Sequence, residues 1–109
     1  WIDKETGTVE RVITGLWPTG AERLDHPDTK ARLFGACLPN WSQAISICCG
    51  AAELFPALRL QHWDIAFSDQ GPVLMELNTE ADLGVPQYLG GKAFVTDGIN
   101  ALMASRSSD

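Results

Sequence analysis

The stretch Trp63 to Asn78, WDIAFSDQGPVLMELN, brings Asp64, Glu76 and Asn78 into a segment that otherwise alternates like a half-buried β-hairpin. Strand alternation sends Trp63, Ile65 and Phe67 to one face and Leu60, His62, Asp64 and Ala66 to the other. On the returning strand Val73, Met75 and Leu77 share one side, and Leu74, Glu76 and Asn78 take the opposite side. Ser68-Asp69-Gln70-Gly71-Pro72 supplies a turn between them. The expected register pairs Phe67 with Val73, Ile65 with Met75 and Trp63 with Leu77. Asp64 then falls opposite Glu76, and His62 opposite Asn78.

Two carboxylates opposed across a hairpin lie about 5 Å apart at Cβ and repel. A divalent cation between them reverses the sign. Two carboxylates and one amide offer the oxygen ligands that Mg²⁺ accepts, and Mg²⁺ commonly completes its shell with substrate phosphates and water. The chemistry implied is metal-assisted binding of a nucleotide. The competing reading is a solvated face, with Asp69 and Glu80 on the same exposed rim.

The elements that must position these residues are partly legible. WIDKETGTVERVITG suggests two short strands around Lys4-Glu5-Thr6-Gly7, with Gly7 free to adopt the positive φ of a tight turn. Leu16 to Pro39 holds prolines and glycines without a sustained period, which predicts a long loop or irregular excursion. Such loops often carry function, and His26, Asp28, Thr29, Lys30 and Arg32 could face a substrate from this one, with Arg32 a candidate catalytic side chain. The alternative for the same stretch is an Asp28-initiated turn, with Pro27 setting the bend.

A helix is predicted from Trp41 to Leu54, since Trp41, Ile45, Cys48, Ala52 and Phe55 recur at steps of three and four. Asn40 would cap it, with Gln43 in capping-box spacing, and Pro56 would stop it. Within it, Cys48 and Cys49 serve as small packing residues. A second helix is expected over Phe94 to Ala104, with Val95, Ile99, Leu102 and Met103 inward. Residues 105 to 109, SRSSD, are expected to fray.

Bulk properties narrow the function classes. The 109 residues, 45% hydrophobic and 20% charged, suit a single small domain. A formal charge of −6 and eight scattered Lys and Arg provide no basic stripe for nucleic acid. Three cysteines without CxxC spacing suggest neither a disulfide framework nor a zinc site, which fits a reducing cytoplasm. No apolar run approaches the roughly 20 residues that a spanning helix needs, so membrane insertion is not expected. Trp1 in place of an initiator Met suggests a domain fragment covering 1–109.

An aspartate in one strand followed by Glu-x-Asn in the next resembles the metal-binding end of ATP-grasp enzymes. IDKETG at 2–7, HPDT at 26–29, LPNW at 38–41 and WDIAFSDQGPVLMELNTEADLGVPQ at 63–87 together resemble the C-terminal part of the sugar-transfer-associated ATP-grasp family, related to α-L-glutamate ligases. The resemblance runs in order over most of the chain. It departs at His62, where many members have glycine, and at Glu80-Ala81-Asp82, where many relatives have a Pro-Gly turn.

The resemblance implies an α+β fold, an antiparallel sheet with packed helices forming part of a nucleotide cleft. It implies ATP and Mg²⁺, or Mn²⁺ in its place, held through Asp64, Glu76 and Asn78. The reaction it implies is phosphorylation of a small carboxylate substrate to an acylphosphate, which an amine or related nucleophile attacks, in a pathway linked to sugar transfer or polysaccharide. His62, when protonated, is a candidate to steady the acylphosphate. An upstream ATP-grasp subdomain would supply the adenine pocket, phosphate-gripping lysines and glycine-rich loop, so that the fragment alone would not catalyse. An oligomer is compatible with all of this, and the alternative function is a non-catalytic binding or interaction module of the same fold.

Overall fold

The structure, a computed structural model, describes residues 1–80, 82–93 and 95–105. The element order is β1 (Val12–Thr14), β2 (Ala21–Arg23), α1 (Trp41–Ala52), β3 (His62–Ser68), β4 (Gly71–Asn78), α2 (Gly84–Gly90) and α3 (Asp97–Ala104). All strand pairing is antiparallel, as expected of the α+β reading, and divides into two ribbons, β1 with β2 and β3 with β4.

The N-terminal turn forms, but its strands do not. Asp3 Oδ1 accepts from the amides of Glu5 and Thr6 and from the Thr6 hydroxyl, closing an Asx-type turn. A single bridge, Ile2 to Val9, joins its arms. The following residues pair forward instead, Val12 with Arg23 through Thr14 with Ala21. The irregular excursion over 16–39 therefore contains β2, and it is tied down by further bridges, Asp25 to Arg32 and Thr8 to Cys37.

Helix α1 starts where periodicity placed it and ends two residues earlier. Asn40 does not cap it: the residue sits in the left-handed region at φ 52°, and its side chain accepts no capping hydrogen bond. The inward face is also rotated from the expected stripe. Ala44 is buried, Ile47, Cys48, Ala51 and Ala52 are half-buried, and Ile45 is exposed. A methyl group at the centre of this face lets the helix lie close against β4, its main partner. Burial pushes the Cys48 thiol above its ordinary range, with the adjacent Cys49 adding to the shift, as suits a packing residue.

Trp41 ties three parts of the chain together. Its ring stacks on Phe67 of β3 at 6.4 Å, and its indole N–H donates to the Lys4 carbonyl at 2.9 Å. Gly7, at φ 74°, lies under the same ring, where a Cβ would come within 2.5 Å of Trp41 Cγ.

The C-terminal region departs most from expectation. Helix α2 was not foreseen. Asp82 Oδ1 accepts from the amides of Gly84 and Val85 to start it, and Arg11 donates to the carbonyls of Tyr88 and Leu89 at its end. Helix α3 begins at Asp97, with the Thr96 hydroxyl as its cap. Phe94, where the second helix was expected to begin, lies outside the described residues, as do 106–109 of the expected frayed tail. Val95, Leu102 and Met103 are exposed, not inward, and Ile99 is half-buried.

Little of the chain is enclosed. Ala44 is the only fully buried apolar residue among the described residues. The accessible surface is 7898 Å², against about 5,900 Å² for a folded monomer of 11.8 kDa. The radius of gyration of 15.8 Å likewise exceeds the roughly 13 Å of a compact domain this long.

The two glycines Gly7 and Gly35 allow a paired test, since both have positive φ but only Gly7 has a neighbour within 4 Å of a built Cβ. Gly35→Ala is expected to cost about 1–2 kcal/mol for the left-handed backbone alone. Gly7→Ala adds a clash with Trp41 of about 1–3 kcal/mol more, so urea unfolding should show a clearly lower midpoint for Gly7→Ala than for Gly35→Ala.

Candidate functional site

The site is built on β3 and β4, and what holds β3 is the end of α1. Gln61 directs its side-chain amide to the carbonyls of Ala52, Phe55 and Leu58, at 3.2, 3.2 and 2.9 Å. The Ala52 and Phe55 carbonyls also accept the amides of Phe55 and Leu58, so Gln61 reinforces the turn that follows the helix. Its own carbonyl accepts from the Trp63 indole at 3.0 Å. Trp63 also meets Phe55 at a 6.2 Å ring separation. With Trp63 and Phe67 drawn toward α1, alternation sends Asp64 to the opposite face.

The register at the chemically interesting end is the expected one. His62 pairs with Asn78, Trp63 with Leu77 and Asp64 with Glu76. Beyond this point the expected register fails by one residue. Ile65 pairs with Leu74, Ala66 with Val73 and Phe67 with Pro72, because Met75 is an extra residue between Asp64 and Ile65 of the partner strand. The bulge exchanges the faces of β4 in mid-strand. Leu74 and Leu77 are half-buried, while Val73, Met75 and Glu76 are exposed.

Directly opposed residues put Asp64 and Glu76 about 5 Å apart at Cβ. Both are exposed, and His62 and Asn78, two rungs along, are half-buried. The three ion pairs among the described residues join Lys4 to Glu5, Arg11 to Glu22 and Arg32 to Asp25, so none neutralises the hairpin acids. No three His, Cys, Asp or Glu side chains among the described residues form a cluster able to cage a metal. The donor set is therefore two carboxylates with an adjacent amide. It suits a hard cation that takes its remaining ligands from phosphate and water, and it does not suit a structural metal with an all-protein shell.

The other candidates lie elsewhere in the structure. Arg32 pairs with Asp25 at 3.4 Å and sits over the Phe34 ring at 5.7 Å. Among the described residues no hydrogen bond or ion pair joins it to Asp64, Glu76 or Asn78. In the HPDT turn the acceptor is His26, not the expected Asp28. Its Nδ1 accepts from the amides of Asp28 and Thr29, each at 3.2 Å. Lys30 occupies the left-handed region at φ 59° and donates to the Pro27 carbonyl. These contacts account for His26, Lys30 and Arg32 as turn-forming residues.

Sequence reasoning missed Gln61 and the bulge at Met75. A polar residue in the run LRLQHW carries some signal, since a glutamine between a helix end and a strand can donate to the carbonyls of the intervening turn. The bulge carries none in alternation, because VLMEL satisfies either register.

A family model described as sugar-transfer associated ATP-grasp matches residues 1–100. No match is found among curated proteins or among solved structures. Among the described residues no helix is long and apolar enough to cross a membrane.

Opposed acids with no ion-pair partner among the described residues make a direct prediction. In a metal-free buffer Asp64→Asn and Glu76→Gln should each unfold at the same temperature as the wild type or a higher one, since removing like-charge repulsion gains a few tenths of a kcal/mol. Millimolar Mg²⁺ should raise the melting temperature of the wild type more than that of either variant.

Proposed function

Because the chain belongs to the sugar-transfer-associated ATP-grasp family, an ATP-binding, ligase-like group, we propose that it provides the metal- and phosphate-binding part of an ATP-dependent carboxylate ligase. The observation that carries this reading is the pairing of Asp64 with Glu76, flanked by Asn78, on an exposed face where neither acid has an ion pair among the described residues. Asp64, Glu76 and Asn78 would hold Mg²⁺, or Mn²⁺ in its place, which would supply positive charge against that developing during phosphoryl transfer.

The chain's own residues divide this work. Asp64 and Glu76 supply anionic oxygens from facing strands, held at fixed separation by the ladder. Asn78 adds a neutral oxygen, and His62, directly across from it, is available to steady an anionic acyl oxygen. In the proposed reaction a small carboxylate takes the terminal phosphoryl group of ATP with departure of ADP. A nucleophile of the amine or thiol class then displaces phosphate from the acylphosphate. The family's sugar-transfer association favours polysaccharide or glycan modification as the setting.

The adenine pocket and phosphate-gripping lysines would come from an ATP-grasp subdomain preceding these residues in the parent protein. The roughly 2,000 Å² of surface beyond that of a compact monomer supports a neighbour of this kind. Calorimetric titration of the intact protein with ATP should show binding that requires Mg²⁺. Asp64→Asn and Glu76→Gln should each weaken it by about 100-fold or more, the loss expected when a ligand of a shared metal is removed. Binding indifferent to both substitutions would favour the non-catalytic module.

A further inference from the structure

At the Asn78 end of the hairpin lies a groove of about 360 Å³ whose lining includes Leu58, Arg59, Leu60, Thr79, Leu83 and Met103. Its residues come from both sides of the hairpin's open end, since Leu60 precedes His62 and Thr79 follows Asn78 on paired strands. Arg59 holds the groove together. Its guanidinium donates to the Leu102 carbonyl at 2.9 Å and to the Ser105 hydroxyl, which keeps the end of α3, with Met103, against the Leu58–Leu60 segment. Apart from Arg59 and Thr79 the lining is apolar, and no acidic side chain lines it among the described residues.

The volume falls at the lower end of the range for small-molecule sites. Leu60 stands two residues before His62 and Thr79 directly follows Asn78, so the groove opens beside the His62–Asn78 end of the hairpin.

We infer that this groove holds the body of the carboxylate substrate, and that the substrate class is a monocarboxylic acid with a short apolar chain, its carboxylate directed toward the Asp64–Glu76 rung. This rests on the reading of Asp64, Glu76 and Asn78 as the phosphate end of the site. Among the described residues, a second carboxylate on the substrate would meet mostly apolar walls and one charged side chain, Arg59, already engaged with the end of α3. A dicarboxylate is therefore disfavoured.

The test is calorimetric titration of the intact protein with acetate, butanoate, hexanoate and hexanedioate, alongside a separate titration with Mg²⁺ and ATP. Affinity should rise about two- to fourfold per added methylene, the upper figure being that of full burial, and hexanedioate should bind more weakly than hexanoate. Met103 is exposed, so Met103→Glu should leave the fold intact, as circular dichroism would verify. It should weaken hexanoate by about tenfold or more, Leu83→Gln should weaken it in the same direction, and both should leave Mg·ATP affinity within about twofold. Affinity that is flat with chain length, or hexanoate binding untouched in both folded variants, overturns the groove assignment. Chain-length dependence without Mg·ATP binding supports the groove and overturns the ligase reading, so the two failures are distinct.

Discussion

A single extra residue, Met75, lets one hairpin satisfy two incompatible demands. Toward the turn, β4 must present Pro72 and Leu74 opposite Phe67 and Ile65, on the face that α1 covers. Toward the open end it must place Glu76 opposite Asp64 and Asn78 opposite His62. Strict period-two alternation cannot put Leu74 and Leu77 on the same side, because they are three residues apart. The bulge absorbs the odd residue, so that Leu74 and Leu77 are half-buried while Glu76 stays exposed, with Val73 and Met75 also left on the surface. Everything proposed for the site depends on that separation, since without it the acids would face the helix or the leucines would face water.

The rest of the fold serves to hold this hairpin against α1. Trp41 clasps Phe67 near the turn and carries the N-terminal turn through Lys4 and Gly7, while Gln61 ties the end of α1 to Trp63 at the other end of β3. These two attachments bracket Asp64 and keep its strand fixed without a large core. The contrast is with the C-terminal helices, which are attached by a few polar contacts: Arg11 to the end of α2, and Arg59 to the end of α3. A scaffold with one rigid ribbon and lightly held surroundings suits a site whose remaining walls come from another part of an enzyme.

The acid pair was legible in the sequence because opposed strands around a short turn leave few registers, and the one that pairs Trp63 with Leu77 also pairs Asp64 with Glu76. What was not legible follows from physics that a pattern does not contain. Alternation cannot see a bulge when valine, leucine and methionine suit either face. Helical spacing found α1 but chose Ile45 over Ala44, since periodicity weights large apolar residues and a close helix-to-strand approach selects a small one. The turn at 26–30 was foreseen at Pro27, but with the wrong acceptor, because an imidazole lone pair can replace the usual Asp oxygen. Helix α2 went unseen since GVPQYLG carries a proline and two glycines, and its ends are satisfied by Asp82 and by Arg11 from far away in the chain. Membership of the ATP-grasp family, expected from the blocks at 2–7, 26–29, 38–41 and 63–87, is shown by the match over 1–100.

The central claim, that the Asp64–Glu76 rung holds the metal of a nucleotide, is tested most directly by crystals of the intact protein grown with Mn²⁺ and a non-hydrolysable ATP analogue. The account predicts an anomalous peak about 2.0–2.3 Å from carboxylate oxygens of both Asp64 and Glu76, with Asn78 alongside and phosphate oxygens completing the shell. A nucleotide bound with its metal on other residues, leaving Asp64 and Glu76 in water, would contradict it.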